Sequence, residues 1–222
     1  NETTSLSLND FARGEYLIEV EFEGTAYYES ANASALFKVK GLEEAIYVSC
    51  DDIKIGNNAT VKIETNAEDL NGNAILSING QEYEIYLENR TTNITLIDLT
   101  NGTYDIKVIY KGNSKYEPAN ASCSFDVSKY TSELLVDIIP NEESQESGNG
   151  IFTGNIIVKT EPNNCTGTIT LFVNIRQYAL DLNDGTCNFS VEFDKGTNYI
   201  FAFYEGDYYF EPNSWNATYG AE

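Results

Sequence analysis

Apolar and polar residues alternate along most of this chain in short runs. In Tyr104–Tyr110, Tyr, Ile, Val and Tyr occupy every second position, with Asp, Lys and Ile between them. A period of two is typical of a β-strand that buries one face and exposes the other. Turn pairs separate these runs, and Asn79–Gly80 between two of them predicts a tight β-hairpin. The succession of short strands and turns predicts an all-β fold made of antiparallel β-sandwiches.

One stretch recurs and divides the chain into copies. Gly102–Val127 reads GTYDIKVIYKGNSKYEPANASCSFDV, and Gly14–Val39 matches it without a gap when its numbers are raised by 88. Gly196–Tyr219 is a divergent third occurrence of the same pattern. Because this spacing is that of a whole domain, we interpret it as a tandem repeat of domains and not as a solenoid.

The repeat predicts three copies of one domain. We place the C-terminal part of a first copy at residues 1–40, a complete copy at 41–129 and a divergent copy at 130–222. In the complete copy the predicted strands are Ile46–Cys50, Ala59–Thr65, Asn73–Ile78, Glu82–Leu87, Thr92–Ile97, Thr103–Lys111 and Asn120–Val127. In the divergent copy they are Leu134–Ile139, Asn155–Thr160, Thr168–Asn174, Gln177–Leu182, Thr186–Phe193, Asn198–Glu205 and Asn213–Tyr219, with a polar loop at Asn141–Gly150.

The first copy carries only the last three strands of the repeat. Three strands bury little apolar area, so we do not expect this part to fold as an independent domain. Two explanations stay open: the chain is a segment of a longer array, or another molecule supplies the missing strands.

Charge narrows the choice of partners. The formal net charge is −22, from 35 acidic and 13 basic residues. Such a charge repels phosphate backbones and anionic lipids, so we expect no nucleic-acid partner. No apolar run reaches the length of a membrane-spanning helix, so we expect no membrane insertion within this chain. The acidic residues occur singly along alternating strands, which favours a solvated outer face over a cation-binding surface.

The four cysteines allow three pairings, and the repeat selects one of them. Cys50 and Cys123 both lie in the second copy, whereas Cys165 and Cys187 both lie in the third. The positions of the third copy that match Cys50 and Cys123 are not cysteines, and the positions of the second copy that match Cys165 and Cys187 are not cysteines either. We therefore predict the disulfides Cys50–Cys123 and Cys165–Cys187. An even cysteine count without histidine argues against zinc and favours an oxidising, extracellular setting.

Asn-X-Ser/Thr sequons are frequent, and each is a candidate glycan acceptor in an exported protein. We expect only some to be modified, most readily those beside predicted turns. The sequons begin at Asn1, Asn32, Asn58, Asn89, Asn93, Asn101, Asn120, Asn164, Asn188 and Asn216, and those beside turns are Asn58, Asn101 and Asn164.

Catalytic chemistry has little support. Without histidine there is no Ser-His-Asp or Cys-His arrangement, and there is no glycine-rich phosphate loop. We expect no enzyme, no catalytic residue and no cofactor, with calcium as an alternative. The calcium candidates, Asp181–Gly185, Asp51–Asp52 and Glu68–Asp69, lack the full ligand set of a calcium loop. A hairpin turn explains Asp181–Gly185 better.

Aromatic residues crowd the end of the third copy. We predict that some of them line an interface between copies, with a sugar- or protein-binding surface as the alternative. The residues we select are Tyr208, Tyr209, Phe210 and Trp215.

The repeat pattern also resembles a known family. The sequence N-G-T-Y-x-I-x-V-x-Y-x-G at Asn101–Gly112, with Arg13 in place of the first Asn in the other close copy, resembles the immunoglobulin-like repeats of very large adhesin-like surface proteins of methanogenic archaea. The resemblance implies seven-stranded immunoglobulin-like sandwiches in tandem, export, and a stalk or adhesive role without a catalytic motif.

These observations lead to one functional hypothesis and two alternatives. We expect a non-enzymatic, extracellular stalk or adhesive segment of a repetitive cell-surface protein. Its partners would be neighbouring copies of the repeat and a host-cell or cell-wall glycan or protein. The alternatives are a filament subunit completed by β-strand complementation and a carbohydrate-binding tip that uses the aromatic cluster.

Overall fold

The computed structural model describes residues 4–141 and 151–222, and this part of the chain consists of β-strands joined by turns. No helix in it is long and apolar enough to cross a membrane. The strands are β1 (Gly14–Phe22), β2 (Ala31–Val39), β3 (Ile46–Ser49), β4 (Ile53–Lys54), β5 (Ala59–Thr65), β6 (Gly72–Ile78), β7 (Gln81–Leu87), β8 (Thr91–Leu96), β9 (Gly102–Tyr110), β10 (Ala119–Ser128), β11 (Glu133–Pro140), β12 (Ile151–Glu161), β13 (Thr168–Val173), β14 (Arg176–Asp181), β15 (Thr186–Asp194), β16 (Gly196–Tyr204) and β17 (Asn213–Ala221).

The chain forms two compact units. The first comprises the residues up to Ile53 together with Asn57–Val127, and the second comprises Lys54–Gly56 and Ser128–Glu222. The incomplete first copy therefore belongs to the same unit as the second copy, and each unit is described by itself below.

The second copy is an immunoglobulin-like sandwich of two antiparallel sheets, as predicted. One sheet has the order β3-β5-β8, and the other has the order β4-β10-β9-β6-β7. All seven predicted strands are present. The additional strand β4 was missed because its two residues are too few to show an alternating pattern.

Alternation along the strands builds the core of this sandwich. In β9, Ile106, Val108 and Tyr110 point inward and are buried, as Val61 on the facing sheet is. Burying side chains of this size stabilises the fold by roughly 1.5–3 kcal/mol each. The buried face of β9 belongs to the stretch that recurs along the sequence, so the repeat is a repeat of core positions.

The third copy has the same two-sheet architecture. Its sheets have the orders β11-β12-β15 and β14-β13-β16-β17, and all seven predicted strands form. One cluster of buried side chains fills its interior, with Phe189, Phe193 and Tyr204 among the largest. The polar loop predicted at Asn141–Gly150 lies outside the described residues apart from Asn141 itself.

The first copy forms two of the three predicted strands. β1 and β2 make an antiparallel hairpin in which Gly14 lies opposite Val39 and Phe22 lies opposite Ala31. The prediction of a third strand was wrong: residues 4–8, which match β8, have no strand structure, and Leu6 among them is 80% exposed. They lack the neighbour that β8 has in the second copy, where it pairs with β5.

A side-chain hydrogen bond closes the corner before the penultimate strand of each copy. The hydroxyl of Tyr104 donates to the carbonyl of Thr100 at 3.2 Å, and Tyr16 donates to Ala12 at 2.8 Å. This tyrosine corner is a hallmark of immunoglobulin-like sandwiches. The third copy has Asn198 at this position, and its Nδ2 donates to the carbonyl of Asp194 at 2.8 Å.

Candidate functional site

A polar cluster of the first unit joins the hairpin of the first copy to the second copy. We call Arg13, Gly41, Leu42 and Glu117 the joint. Arg13 Nη1 donates to Glu117 Oε2 at 2.8 Å, and the backbone N–H of Gly41 donates to Glu117 Oε1 at 2.8 Å. The backbone N–H of Arg13 donates to the carbonyl of Ser114, also at 2.8 Å. One carboxylate therefore binds both the residue before β1 and a backbone N–H shortly after β2.

Electrostatics stabilise the ionised form of this carboxylate. The Gly41 N–H and then the Arg13 guanidinium lower the pKa of Glu117 below its usual range. Glu117 therefore stays charged at neutral pH, and its contribution to the joint is lost only as the pH falls through that lowered pKa.

The chain is held in the same way where it begins each complete copy. In the second copy, the Leu42 N–H donates to the carbonyl of Lys115 at 2.8 Å, and the Glu117 N–H donates to the carbonyl of Leu42 at 3.0 Å. In the third copy, the Tyr130 N–H donates to Tyr209, and the Glu211 N–H donates to Tyr130, both at 2.8 Å. Two backbone hydrogen bonds thus attach the incoming chain to the last loop of each domain.

The last loop itself is built alike in both complete copies. Oδ1 of Asn113 accepts hydrogen bonds from the Lys115 and Tyr116 N–H groups at 2.8 Å. Oδ1 of Asp207 accepts from Tyr209 and Phe210 at 2.7 and 2.8 Å. Burial opposes the charge of Asp207, but these N–H groups and Thr166 outweigh it and lower its pKa.

The structure contains one of the two predicted disulfides. Cys50 and Cys123 are bonded, which connects the chain after β3 to β10 across 73 positions of sequence. The predicted bond between Cys165 and Cys187 is wrong, because both are buried free thiols. Cys165 Sγ instead donates to the carbonyl of Pro162 at 3.2 Å, within its own loop. Burial raises the pKa of Cys187 to about 11, so this thiol is protonated and unreactive at neutral pH.

The four selected aromatic residues do not form one surface. Phe210 is buried, and Trp215 packs against the core of the third copy. Tyr208 and Tyr209 are exposed and form an edge-to-face pair with ring centroids 4.9 Å apart. The sequence cluster is divided because alternation on β17 turns Trp215 inward, opposite the buried Ala202.

An apolar groove of about 520 Å³ opens between β7 and β8 of the second copy. Its apolar lining includes Leu76, Ile78, Tyr83, Ile94, Leu96 and Ile97. In the third copy, Arg176 on β14 spans the matching gap and donates to both carboxylate oxygens of Asp194 on β15, at 2.7 and 3.1 Å. Gln81 occupies the matching position in the second copy, where this ion pair is absent.

Several of the acidic calcium candidates make other contacts. Asp69 accepts hydrogen bonds from Lys115 at 2.6 Å and Tyr116 at 2.5 Å, and these bonds, that from Lys115 first, lower its pKa. Asp52 accepts the Asp126 N–H at 2.7 Å, and Asp184 has the positive φ of a turn residue. Among the described residues, no three Cys, Asp or Glu side chains are placed to hold a metal ion. Calcium binding stays a prediction.

The sequon asparagines lie at the surface. Those exposed in the structure are Asn32, Asn58, Asn89, Asn93, Asn101, Asn120, Asn164, Asn188 and Asn216, while Asn1 lies outside the described residues. Exposure is a condition for modification, so glycosylation stays a prediction at each of them.

Comparisons with known proteins concern the fold alone. No protein-family model matches this sequence, and no curated protein matches it. Among solved structures, a bacterial ice-binding adhesin described for its host cell surface retention is similar at a TM-score of 0.32 and 12% identity, over 92% of this chain and 72% of that chain. Fibronectin(III)-like modules of Clostridium thermocellum CbhA are similar at 0.31 and 10%, over 77% and 92%. The chicken CNTN1 FN1-FN3 domains are similar at 0.27 and 9%, over 92% and 78%.

Sequence reasoning missed the residues that organise the loops and corners. Tyr104 was interpreted only as a position of an alternating strand, although the Gly-x-Tyr at the start of that strand was a usable signal for the tyrosine corner. Arg13 and Glu117 lie 104 positions apart, and only the fold brings them together.

Proposed function

We propose that this chain is a non-enzymatic, extracellular stalk or adhesive segment of a repetitive cell-surface protein. The observation that carries the proposal is the repeated attachment of the incoming chain to the last loop of each complete copy. Leu42 and Tyr130 are held by the same pair of backbone hydrogen bonds. Both the domain and the hydrogen bonds that attach the incoming chain to it are repeated, and such repetition suits a structural role in an array of domains.

The disulfide of the second copy supports a load-bearing role. Cys50 and Cys123 connect the first and last parts of the domain. Tension applied along the chain therefore passes through this covalent bond and bypasses the strands between the two cysteines. The free thiols of the third copy provide no such bypass.

Single-molecule stretching tests this role. The third copy should extend fully in both oxidised and reduced protein. The second copy should release the chain across the 73 positions that separate its cysteines only after reduction, which adds roughly 250 Å at about 3.3–3.6 Å per residue. A double variant, Cys50→Ala with Cys123→Ala, is the matched control and should extend fully without reductant. If oxidised protein extends without any resistance from either complete copy, the load-bearing role is excluded.

A filament subunit is the second candidate, because the hairpin of the first copy exposes side chains that are core residues in the second copy. Measurement of mass over a range of protein concentrations separates the two. A stalk segment stays monomeric, whereas a filament subunit associates as concentration rises.

A further inference from the structure

The outer face of the sheet β14-β13-β16-β17 in the third copy carries aromatic rings at its centre. The buried side chains of β16 alternate with three aromatic residues that point outward, Tyr199, Phe201 and Phe203. Phe172 of β13 lies opposite Phe201 in the sheet, and the ring centroids of the two are 6.3 Å apart. Tyr199 is 69% exposed and Phe201 is 39% exposed. We call Tyr199, Phe201, Phe203 and Phe172 the aromatic face.

The second copy shows that the sandwich forms without aromatic residues at these positions. The matching residues of β9 are Asp105, Lys107 and Ile109, and the matching residue of β6 is Ser77. Ser77 lies opposite Lys107, just as Phe172 lies opposite Phe201. The strand pairing is therefore the same in both copies, and the aromatic face is a property of the third copy that its fold does not require.

A sequon stands directly opposite the aromatic face. The pairing of β16 with β17 places Asn216 opposite Phe201 and Thr218 opposite Tyr199. These two residues are the first and last of the sequon Asn216–Thr218, and both are exposed. Residues directly opposite each other in an antiparallel pair share a face of the sheet, with Cβ atoms about 4.5–5.5 Å apart. The acceptor amide therefore lies beside the Phe201 ring.

The sequon of the last strand occupies a different position in the second copy. There it begins at Asn120, which lies opposite Ile109 on β9. Ser122 occupies the position that matches Asn216, and it lies opposite Lys107. The acceptor of the third copy is thus two residues further along the strand, on the same face. It reaches the position beside an aromatic ring only in the copy that has the aromatic face.

The chemistry of this surface suits a sugar. The C–H groups on one side of a pyranose ring are polarised by the neighbouring oxygens and are attracted to the negative face of an aromatic ring. Hydroxyl groups flank the rings, because Thr170 and Ser214 lie opposite Phe203 on its two sides. An apolar platform with a few polar groups beside it is the usual composition of a site for a small organic group. β17 is the end strand of its sheet, so only β16 lies beside the acceptor.

We propose that Asn216 is N-glycosylated and that the first sugar of its glycan packs on Phe201, so that the aromatic face holds the chain's own glycan. The proposal rests on the extracellular role proposed above, because N-glycans are attached during export. The glycosyl donor is a lipid-linked sugar pyrophosphate. Nδ2 of Asn216 bonds to C1 of the sugar, the bond from C1 to the phosphate oxygen breaks, the pyrophosphate leaves with the electron pair, and Nδ2 loses one proton to a base of the transferase.

The glycan would change how this surface meets other molecules. Exposed apolar patches and free strand edges both promote association between chains. A sugar that packs on Phe201 covers part of the aromatic face and shields the outer side of β17. The third copy then presents a carbohydrate surface where the unmodified chain presents aromatic rings.

The test uses the full chain secreted from a eukaryotic host that glycosylates Asn-X-Ser/Thr sequons. The glycans are trimmed enzymatically to the first N-acetylglucosamine. Glycopeptide mass spectrometry should find this sugar on Asn216. In NMR spectra, ring current from Phe201 should shift the C–H protons of this sugar upfield. The control Phe201→Lys introduces the residue type of Lys107 and should remove the shift without changing the occupancy of Asn216.

A double-mutant cycle measures the contact by its effect on stability. Thr218→Ala removes the glycan, and urea unfolding is followed by the fluorescence of Trp215, the chain's single tryptophan. In the chain with Phe201, the glycan should lower the unfolding constant of the third copy roughly twofold to tenfold more than in Phe201→Lys, as a stacked aromatic contact does. Phe201→Leu keeps an apolar side chain without the ring and replaces Phe201→Lys if that variant does not fold.

Two results would overturn the proposal. One is an unmodified Asn216 in a chain whose other sequons carry glycans. The other is a sugar on Asn216 whose proton shifts and effect on stability are the same with and without the Phe201 ring. The stretching experiment on the load-bearing role does not depend on a glycan, so failure of either proposal is recognised separately from failure of the other.

Discussion

A matched pair of buried tyrosines provides a quantitative test of the packing. Tyr110 and Tyr204 occupy equivalent positions on β9 and β16, and both are fully buried. The hydroxyl of Tyr110 donates to the carbonyl of Asn71 at 2.9 Å. The hydroxyl of Tyr204 is buried and makes no hydrogen bond of good geometry, although burial and then the neighbouring Asp207 and Cys165 raise its pKa. Removing each hydroxyl should therefore have opposite effects.

The expected change in stability depends on whether each substitution leaves a buried polar group without a hydrogen-bond partner. Tyr110→Phe removes one hydrogen bond, but Asn113 Nδ2 still donates to the Asn71 carbonyl at 2.9 Å. The acceptor stays satisfied, so the cost should be about 1 kcal/mol. Tyr204→Phe removes a buried polar group that has no partner and should change stability by about 0 to 1 kcal/mol in the favourable direction. Burial raises the pKa of both phenols, so both are neutral at pH 7.

Hydrogen exchange monitored on β9 and β16 measures each copy separately within the intact chain. The tryptophan in the third copy gives an independent urea unfolding curve for Tyr204→Phe. A change of 1 kcal/mol corresponds to a shift in melting temperature of about 4–8 °C for a domain of this size. If Tyr204→Phe destabilises its copy as much as Tyr110→Phe does, the Tyr204 hydroxyl has a partner and the reasoning is refuted.

Three further predictions follow from the cysteines, the joint and the corner. Thiol titration should find no reactive thiol in the native protein and two in the denatured, unreduced protein, from Cys165 and Cys187; four would contradict the disulfide. Lowering the pH through the lowered pKa of Glu117 should release the Gly41 amide, visible as a shift of its NMR resonance, and Glu117→Gln should abolish that pH dependence. Asn198→Ala should destabilise the third copy by about 2–4 kcal/mol in urea unfolding followed by tryptophan fluorescence, because the buried amide makes several hydrogen bonds; a change within about 0.5 kcal/mol would contradict this.

The cysteines show how far comparison of copies carries a structural prediction. Alignment of the copies placed each cysteine pair within one domain. The Cys50–Cys123 bond formed because those positions lie where β10 passes the end of β3. The same logic failed for Cys165 and Cys187. Co-occurrence indicates only that two residues share a domain, whereas a bond also depends on the direction of each side chain. That direction depends on a loop whose own hydrogen bonds hold Cys165.

Periodicity by itself predicted the strands of the two complete sandwiches, apart from the two-residue β4. Alternation specifies a strand locally, and an ungapped repeat specifies equivalent positions, so neither requires knowledge of distant contacts. Only the tertiary structure decided that β1 and β2 form an antiparallel hairpin and that Glu117 joins this hairpin to the second copy. Both features depend on strand pairing and hydrogen bonds between residues that lie far apart in the sequence.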